Sequence, residues 1–447
     1  MIMDEVLDRF LQSAPVAVMV RAALAHVFCD TTLDNLFERN AESQYTRTLT
    51  FSTLVKLMTK LVFGVHDAVH AAYRHTTNIP VSITAVYDKL DGLETGISEG
   101  LVRETGQAIG DVIAALPVPQ CDVIPGLRLR TLDGNFLAGT DHRLDCLRGS
   151  GAAALPGMSL VVRDGRTGVL TDQIACEDAY TNERSLFPRL LALVRPNDLW
   201  LADRNFCTDD YMSGIAERQA YFLIRHHAGT MLHPLDKERS VGSNASGDLY
   251  EQRVRVGGVT CRSIVVRLFK PLRDGSTEIR LLTNVPTSKA GAKRLAELYR
   301  TRWKIETAFQ ELTVSLRCEV NTLGYPKAAL FAFALAVTAY NVLVLVKLAL
   351  ESGLGRKQQK IELSSYHLAT EVATVSDGLA IAVAEATWKR FAAMSPARFA
   401  RWLVSVSQRV DWKRYRKNPR GPKKPTPIKR TTRGAHRSTA RELQNHE

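Results

Sequence analysis

The sequence predicts a mixed α/β core framed by helical regions, and three observations carry that expectation. Between about 127 and 227, short alternating apolar runs take turns with segments of helical period. Residues 1–120 instead space their apolar side chains by three and four, as in Phe51, Leu54, Met58, Leu61 and Val62. Ala328 to Val346 is a run of 19 uncharged residues, the length of a helix buried on every side.

The elements follow in order. Residues 1–120 read as a helical domain. Within it VYDKLDGLETGISEGLVRETG (86–106) fits either a helix-turn-helix or two ordinary bundle helices. Pro117, Pro119 and Pro125 mark a boundary. In 121–227, the stretches 126–139, 159–168 and 168–176 read as three strands separated by turn residues. Residues 182–194 are amphipathic and helical in pattern, DLWLADRNF (198–206) is a strand, 208–218 a helix and YFLIRHH (221–227) a strand. That order is ribonuclease H-like, a layout in which acids at strand ends converge on metal ions. Residues 228–289 hold three more alternating stretches and no convincing helix, so they read as a β insertion. Residues 290–350 complete the core with a helix expected to start near Ser288, a natural N-cap. Residues 351–408 are helical again, and 409–447 read as a disordered basic tail.

Charge is uneven along the 447 residues. The net charge is +13, yet residues 1–120 carry 9 Lys and Arg against 14 acids, while 409–447 carry 13 against three. Positive charge therefore gathers in the core and tail, as a phosphate-bearing partner requires. Cysteines 29, 121, 146, 176, 207, 261 and 318 stand singly with no zinc spacing, which fits a reducing cytosol. The N-terminus (MIMDEVLDRFLQ) has acids where an export signal needs a basic start. Ala328–Val346 approaches a membrane span in length, but Thr338, Tyr340 and Asn341 and the absence of a second such run favour a buried helix.

The chemistry concentrates in Tyr299 to Thr313 (YRTRWKIETAFQELT). Wound as one helix, Tyr299, Arg302, Glu306 and Thr313 fall within about 60° of one another. Ile305, Phe309, Leu312 and Leu316 form the adjacent apolar stripe. Asp133 in LDGN and Asp203 in LADRNF end strands of the same expected sheet, where ligand sites gather. Three carboxylates on Asp133, Asp203 and Glu306 suit two Mg²⁺ ions and the in-line displacement of a phosphodiester. Other residues rank lower. Glu311 lies about 140° around the helix from Glu306. Asp141 reads as a turn or ion-pair residue, and Glu183 as an acid favoured by a helix N-terminus. Arg225 fits either a DNA contact or a structural ion pair, and Trp303 is expected to pack on a neighbouring segment.

These motifs, in this order, resemble the DDE transposases of bacterial insertion sequences, and more narrowly the IS-four type. LDGN, LADRNF, YFLIRHH, LLTNVP and YRTRWKIETAFQEL carry the resemblance, which spans roughly 20–350. That subgroup places its glutamate in a Tyr-x2-Arg-x3-Glu-x6-Lys signature, matched by Tyr299, Arg302 and Glu306. The resemblance implies metal ligation by Asp133, Asp203 and Glu306 with two Mg²⁺, or Mn²⁺ in their place. It implies phosphate binding by Tyr299 and Arg302, a DNA-binding role for residues 1–120 at the terminal inverted repeats, and work as a homodimer on double-stranded DNA, at those repeats and at target, with a hairpin on the excised end. A bacterial cytoplasmic, nucleoid-associated location follows, with no membrane partner. The departure is Thr313, where the signature has lysine; Arg317, one expected turn further, is the candidate substitute. A catalytically impaired relic acting as a DNA-binding regulator is the alternative that Thr313 raises, and a one-span membrane protein is the alternative from 328–346.

Overall fold

The computed structural model describes residues 5–46, 48–77, 79–118, 122–137, 144–148, 154–272, 274–354, 361–418 and 436–446; Asp141 and Cys121 lie outside them. The chain opens with α1 (Glu5–Ser13), α2 (Pro15–Val27), α3 (Asp30–Asn40), α4 (Phe51–Val62), α5 (Val69–Arg74), α6 (Ile83–Asp91) and α7 (Thr95–Ala114). Thr50 and Ser82 start α4 and α6 by accepting hydrogen bonds from the backbone N–H groups of Thr53 and Ala85. Residues 86–106 do form helix, turn and helix. α7 buries Ile97, Leu101, Val102 and Ile109 against other elements and leaves Arg103, Gln107 and Asp111 exposed on its other face.

The sheet follows: β1 (Arg128–Leu137), β2 (Ala154–Leu155), β3 (Gly157–Asp164), β4 (Leu170–Cys176), the short α8 (Phe187–Leu191), β5 (Asp198–Ala202), α9 (Asp209–Glu217) and β6 (Tyr221–Arg225). β1, β3 and β4 form an antiparallel meander, while β5 and β6 run parallel to β1 on its other side. The helix expected over 182–194 is shorter than its pattern: a 3-10 turn at Glu183–Leu186 leads into α8, whose Pro188 suits only a first turn.

Residues 228–289 are strands as expected: β7 (His233–Pro234), β8 (Arg239–Ser243), β9 (Gly247–Val256), β10 (Val259–Leu268) and β11 (Glu278–Thr283). They do not form a separate unit. β11 pairs antiparallel with β6, so the segment prolongs the central sheet to ten strands in the order β4-β3-β1-β5-β6-β11-β10-β9-β7, with β8 on β9. Buried Arg262 fixes it by donating to Glu251 at 2.7 Å and to the carbonyls of Val285 and Ala290 at 2.8 Å.

Next come α10 (Ala292–Tyr299), a 3-10 turn at Arg300–Arg302, α11 (Trp303–Ser315), α12 (Pro326–Gly353), α13 (Ser365–Ala382), α14 (Glu385–Ala392) and α15 (Pro396–Ser407). The expected single helix from Ser288 is thus two helices with a tighter turn between them, and α10 starts after Gly291 with no side-chain cap. α12 is long and apolar enough to cross a membrane, and its most apolar stretch is entirely buried inside the protein. α2, α4, α7, α13 and α15 all touch it, so 1–120 and 351–408 share one core with α12 rather than owning two. The tail is also partly ordered. β12 (Arg437–Ser438) pairs with β2, α16 (Thr439–His446) follows, and Ser438 and Arg441 bind Asp178 at 2.6 and 2.8 Å. Disorder throughout 409–447 is therefore wrong for these residues, because Ser438 and Thr439 are buried; 419–435 lie outside the described residues.

One polar side chain joins α12 to the sheet. Asn341, fully buried, accepts from the Leu170 N–H and donates to the Leu170 carbonyl, both at 2.8 Å. Asn341→Ala strands two buried backbone groups and is expected to cost about 2–5 kcal/mol in urea denaturation; a loss under about 1 kcal/mol refutes this.

Candidate active site

Strand register brings the two aspartates together. In the parallel pair β1 and β5, Thr131 lies opposite Leu201. Two residues further along are Asp133, still within β1, and Asp203, just past the end of β5, near enough for the Asp203 charge to act on Asp133. Asp203 keeps an extended backbone at the strand's end and accepts from the Asn205 N–H at 2.8 Å, opening a 3-10 turn at Arg204–Phe206. The β5–β6 register sets Ala202 opposite Ile224, so Arg225 comes level with Asp203 on the third strand.

Glu306 reaches this row from α11, and a guanidinium joins them. Arg302 donates through Nη1 to Asp133 Oδ2 at 2.9 Å and through Nη2 to Glu306 Oε1 at 2.6 Å. It is 9% exposed, so these charge-assisted bonds are well shielded from water. Tyr299 points its hydroxyl at the Ala202 carbonyl, 3.3 Å away, beside Asp203. Burial pushes its phenol up to about 12; Arg302 opposes the rise and the Asp203 charge adds to it.

The structure thus brings Asp133, Asp203, Glu306, Tyr299 and Arg302 together and revises some roles. Arg302, expected to hold phosphate, spends both ends of its guanidinium on carboxylates. Arg317 does not continue the stripe. α11 ends at Ser315, and Arg317 instead donates to the His66 carbonyl at 3.2 Å and pairs with Asp67 near α4. Thr313 stays on the exposed side of α11 and returns its hydroxyl to the Phe309 carbonyl at 3.0 Å. Trp303 is 63% exposed rather than packed, with the Arg302 guanidinium carbon 5.6 Å from its ring centroid. Glu311 faces away, bound to Lys347 and Ser365. It lines a cleft of about 690 Å³ behind α11, away from the carboxylates.

Two features escaped the sequence reading. Glu183 comes up against β1 and β5: burial raises its pKa first, and then the charges of Asp203 and Asp133. Its place in the turn after β4, between the strand that carries Asp133 and the one that leads to Asp203, was the available signal. The second is a basic pocket of about 460 Å³ lined by Arg204, Arg225, His226, His227 and Arg280, with Glu278. It lies beside Asp203, through Arg204 next in sequence and Arg225 level in register.

Carboxylate oxygens are the donors that a hard divalent cation takes. Among the described residues, however, no three His, Cys, Asp or Glu side chains stand as a group able to share one metal ion. Arg302 is the physical reason at Asp133 and Glu306, because its guanidinium already fills the space between them. The donor chemistry fits such an ion, while the arrangement of the side chains in this structure does not.

Residues 148–342 match the model of the transposase DDE domain family. The matched span holds Glu183, Asp203, Tyr299, Arg302 and Glu306, and Asp133 precedes it. Comparison with curated proteins finds no match. Among solved structures, the cryo-EM structure of a piggyBac transposase synaptic complex with hairpin DNA is similar with a TM-score of 0.39 and 13% identity. The likeness covers 88% of this chain and 76% of that one.

Asp133 offers a direct electrostatic test. Burial raises its pKa from 3.8 to about 6; Arg302 opposes the shift, while Asp203 and Glu306 add to it. The folded chain therefore holds this proton more tightly than the unfolded chain. Stability from the protonated form is complete below 3.8 and is lost as pH rises through about 6. The carboxyl ¹³C shift of Asp133 should titrate with a midpoint near 6, and a midpoint at the ordinary 3.8 would show that Arg302 prevails.

Proposed function

We propose that this chain is a DNA transposase of the DDE type, of the bacterial IS-four kind, built on a ribonuclease H-like core. One observation carries the reading: Asp133 lies on β1 and Asp203 directly follows β5, its parallel neighbour, while Arg302 ties Asp133 to Glu306. The match of residues 148–342 to the transposase DDE domain supports it.

Asp133, Asp203 and Glu306 would hold two Mg²⁺ ions, or Mn²⁺ in their place. When bound, such ions supply an activated water or 3′-hydroxyl and neutralise charge on the leaving oxygen. The chain's own residues do the positioning. Arg204, Arg225 and Arg280 line the basic pocket beside Asp203 and would take backbone phosphates of the bound end. Tyr299, tied to Ala202, fixes the wall next to Asp203 and keeps its proton at neutral pH. Arg302, displaced from its carboxylates, becomes free to meet the phosphate expected of it in the signature.

The substrates are double-stranded DNA, first the terminal inverted repeats and then target DNA, joined by the freed 3′-hydroxyl. The working form is a homodimer on paired ends, in the bacterial cytoplasm at the nucleoid. A second reading, an impaired relic acting as a DNA-binding regulator, is favoured by Thr313, since Arg317 is held at Asp67 and leaves that place uncharged.

Strand cleavage on DNA from either flank of the reading frame, with Mg²⁺, tests both readings. Asp133→Ala, Asp203→Ala and Glu306→Ala should each lower the rate by about 100-fold or more. Three variants that cut as well as the parent would sink the assignment. Thr313→Lys should change cleavage little if the enzyme is intact, and a large gain would favour the relic.

A further inference from the structure

We propose that the cleft behind α11 is a second binding site, which takes a phosphate ester of about nucleotide size at Arg163 and Lys304. Lys304 stands two positions before Glu306, about 160° round the helix from it, so the cleft opens away from the carboxylates. Nothing in the inference rests on the reading of those carboxylates.

Three elements converge there. Arg163 on β3, Lys304 on α11 and Tyr340 on α12 line a space of about 690 Å³. Sites for small molecules run from a few hundred to about 1,000 Å³. Val344 and Leu348 add an apolar wall. Arg163 donates to the Tyr340 oxygen, which leaves the phenolic proton for an acceptor in the cleft. Gly168, between β3 and β4, makes room for the guanidinium. A Cβ there would lie 3.0 Å from Arg163 Nη2, and its φ of +84° favours glycine as well.

Charge selects an anion. Among the described residues, neither Arg163 nor Lys304 forms an ion pair. Arg163 Nε is shut off from water and has no hydrogen-bond partner. The Lys304 ammonium is held below its usual range, first by burial and then by the Arg163 charge. Carboxylates in the same cleft are engaged elsewhere: Glu311 accepts from Lys347 and Ser365, and Glu362 from Lys417. Burial holds Glu351 toward its neutral form, against the pull of Lys347. Uncompensated positive charge therefore stays in the Arg163–Lys304 corner. A guanidinium, an ammonium and a hydroxyl from three directions match a tetrahedral oxyanion, whereas a flat carboxylate is satisfied by one guanidinium. The bland account, two solvated cations, leaves the unmet Nε and the space at Gly168 unexplained.

The test is calorimetry of the full chain at constant ionic strength, with inorganic phosphate, adenosine 5′-monophosphate and a short single-stranded DNA as probes. The parent should bind at least one of them saturably. Arg163→Gln and Lys304→Gln should each weaken that binding by about tenfold or more. Arg166→Gln removes an exposed charge in the adjoining turn, outside the cleft, and should change it by less than about threefold. Thr307→Glu, at the exposed rim, keeps both cations and sets a carboxylate in the cleft. It should weaken binding as well, which covers the case of a misfolded Arg163→Gln. Loss confined to phosphate and adenosine monophosphate assigns the site to a free nucleotide, and loss that includes DNA assigns it to a backbone phosphate. The proposal is overturned if the parent binds no probe, or if Arg163→Gln, Lys304→Gln and Thr307→Glu lose no more affinity than Arg166→Gln. Either failure leaves the carboxylates untouched, since the cleavage assay above judges them separately.

Discussion

The structure is organised around the burial of α12, whose stretch from Ala328 to Val346 is covered at every residue. An apolar helix with no wet face must be covered on all sides, and helices from both ends of the chain do this: α2, α4 and α7 from one, α13 and α15 from the other. Asn341 then fastens it to β4 through the Leu170 backbone. With the meander anchored on one side, β1 is held against β5, and α11, whose Ala308 and Leu312 join the same core together with Leu316 just past its end, is set over β1. The placement of the carboxylates is thus inherited from helix packing far from any of them.

Arg302 is the local counterpart of that constraint. A buried guanidinium without partners would be costly, and two buried carboxylates facing each other would repel. Together they form a compensated unit that fastens helix to sheet. This arrangement suits a resting site: compact, charge-balanced at one end, and open in charge at the end where Asp203 stands beside the basic pocket.

Much of this was legible in the residues. Alternation located β1, β3, β4, β5 and β6 to within a few positions, and the 19-residue apolar run located α12. Asp203 was legible because it follows the apolar strand β5, where a polar residue has few structural reasons to sit, whereas Asp133, expected at a strand end before Gly134, lies in the middle of β1, which runs on to Leu137. Periodicity did not show the 3-10 turn at 300–302, since a change of winding leaves hydrophobic spacing almost unaltered over three residues. The partners of Arg302 and Arg317 were also hidden, because a long cationic side chain is chosen by whatever acid the tertiary fold brings near. Glu183 was hidden for the opposite reason: its local setting offers a sufficient explanation, and only the fold brings it near Asp203 and Asp133. The tail misled because composition describes solvation and says nothing of a short segment that finds a strand edge at β2.

The level row Asp133, Asp203 and Arg225 also bears on how such a chain can vary. Each residue's face is set by counting along its own strand, and a slip of one position turns every side chain to the opposite surface. Loops between the strands carry no such count. An excursion as long as 228–289 is accommodated because it begins after β6 and returns as the next strand outward, leaving the row untouched. Length is therefore a free variable between strands and a forbidden one within them. Lineages of this fold can add or shed surface at the sheet's edge while the spacing of three charged side chains stays the same.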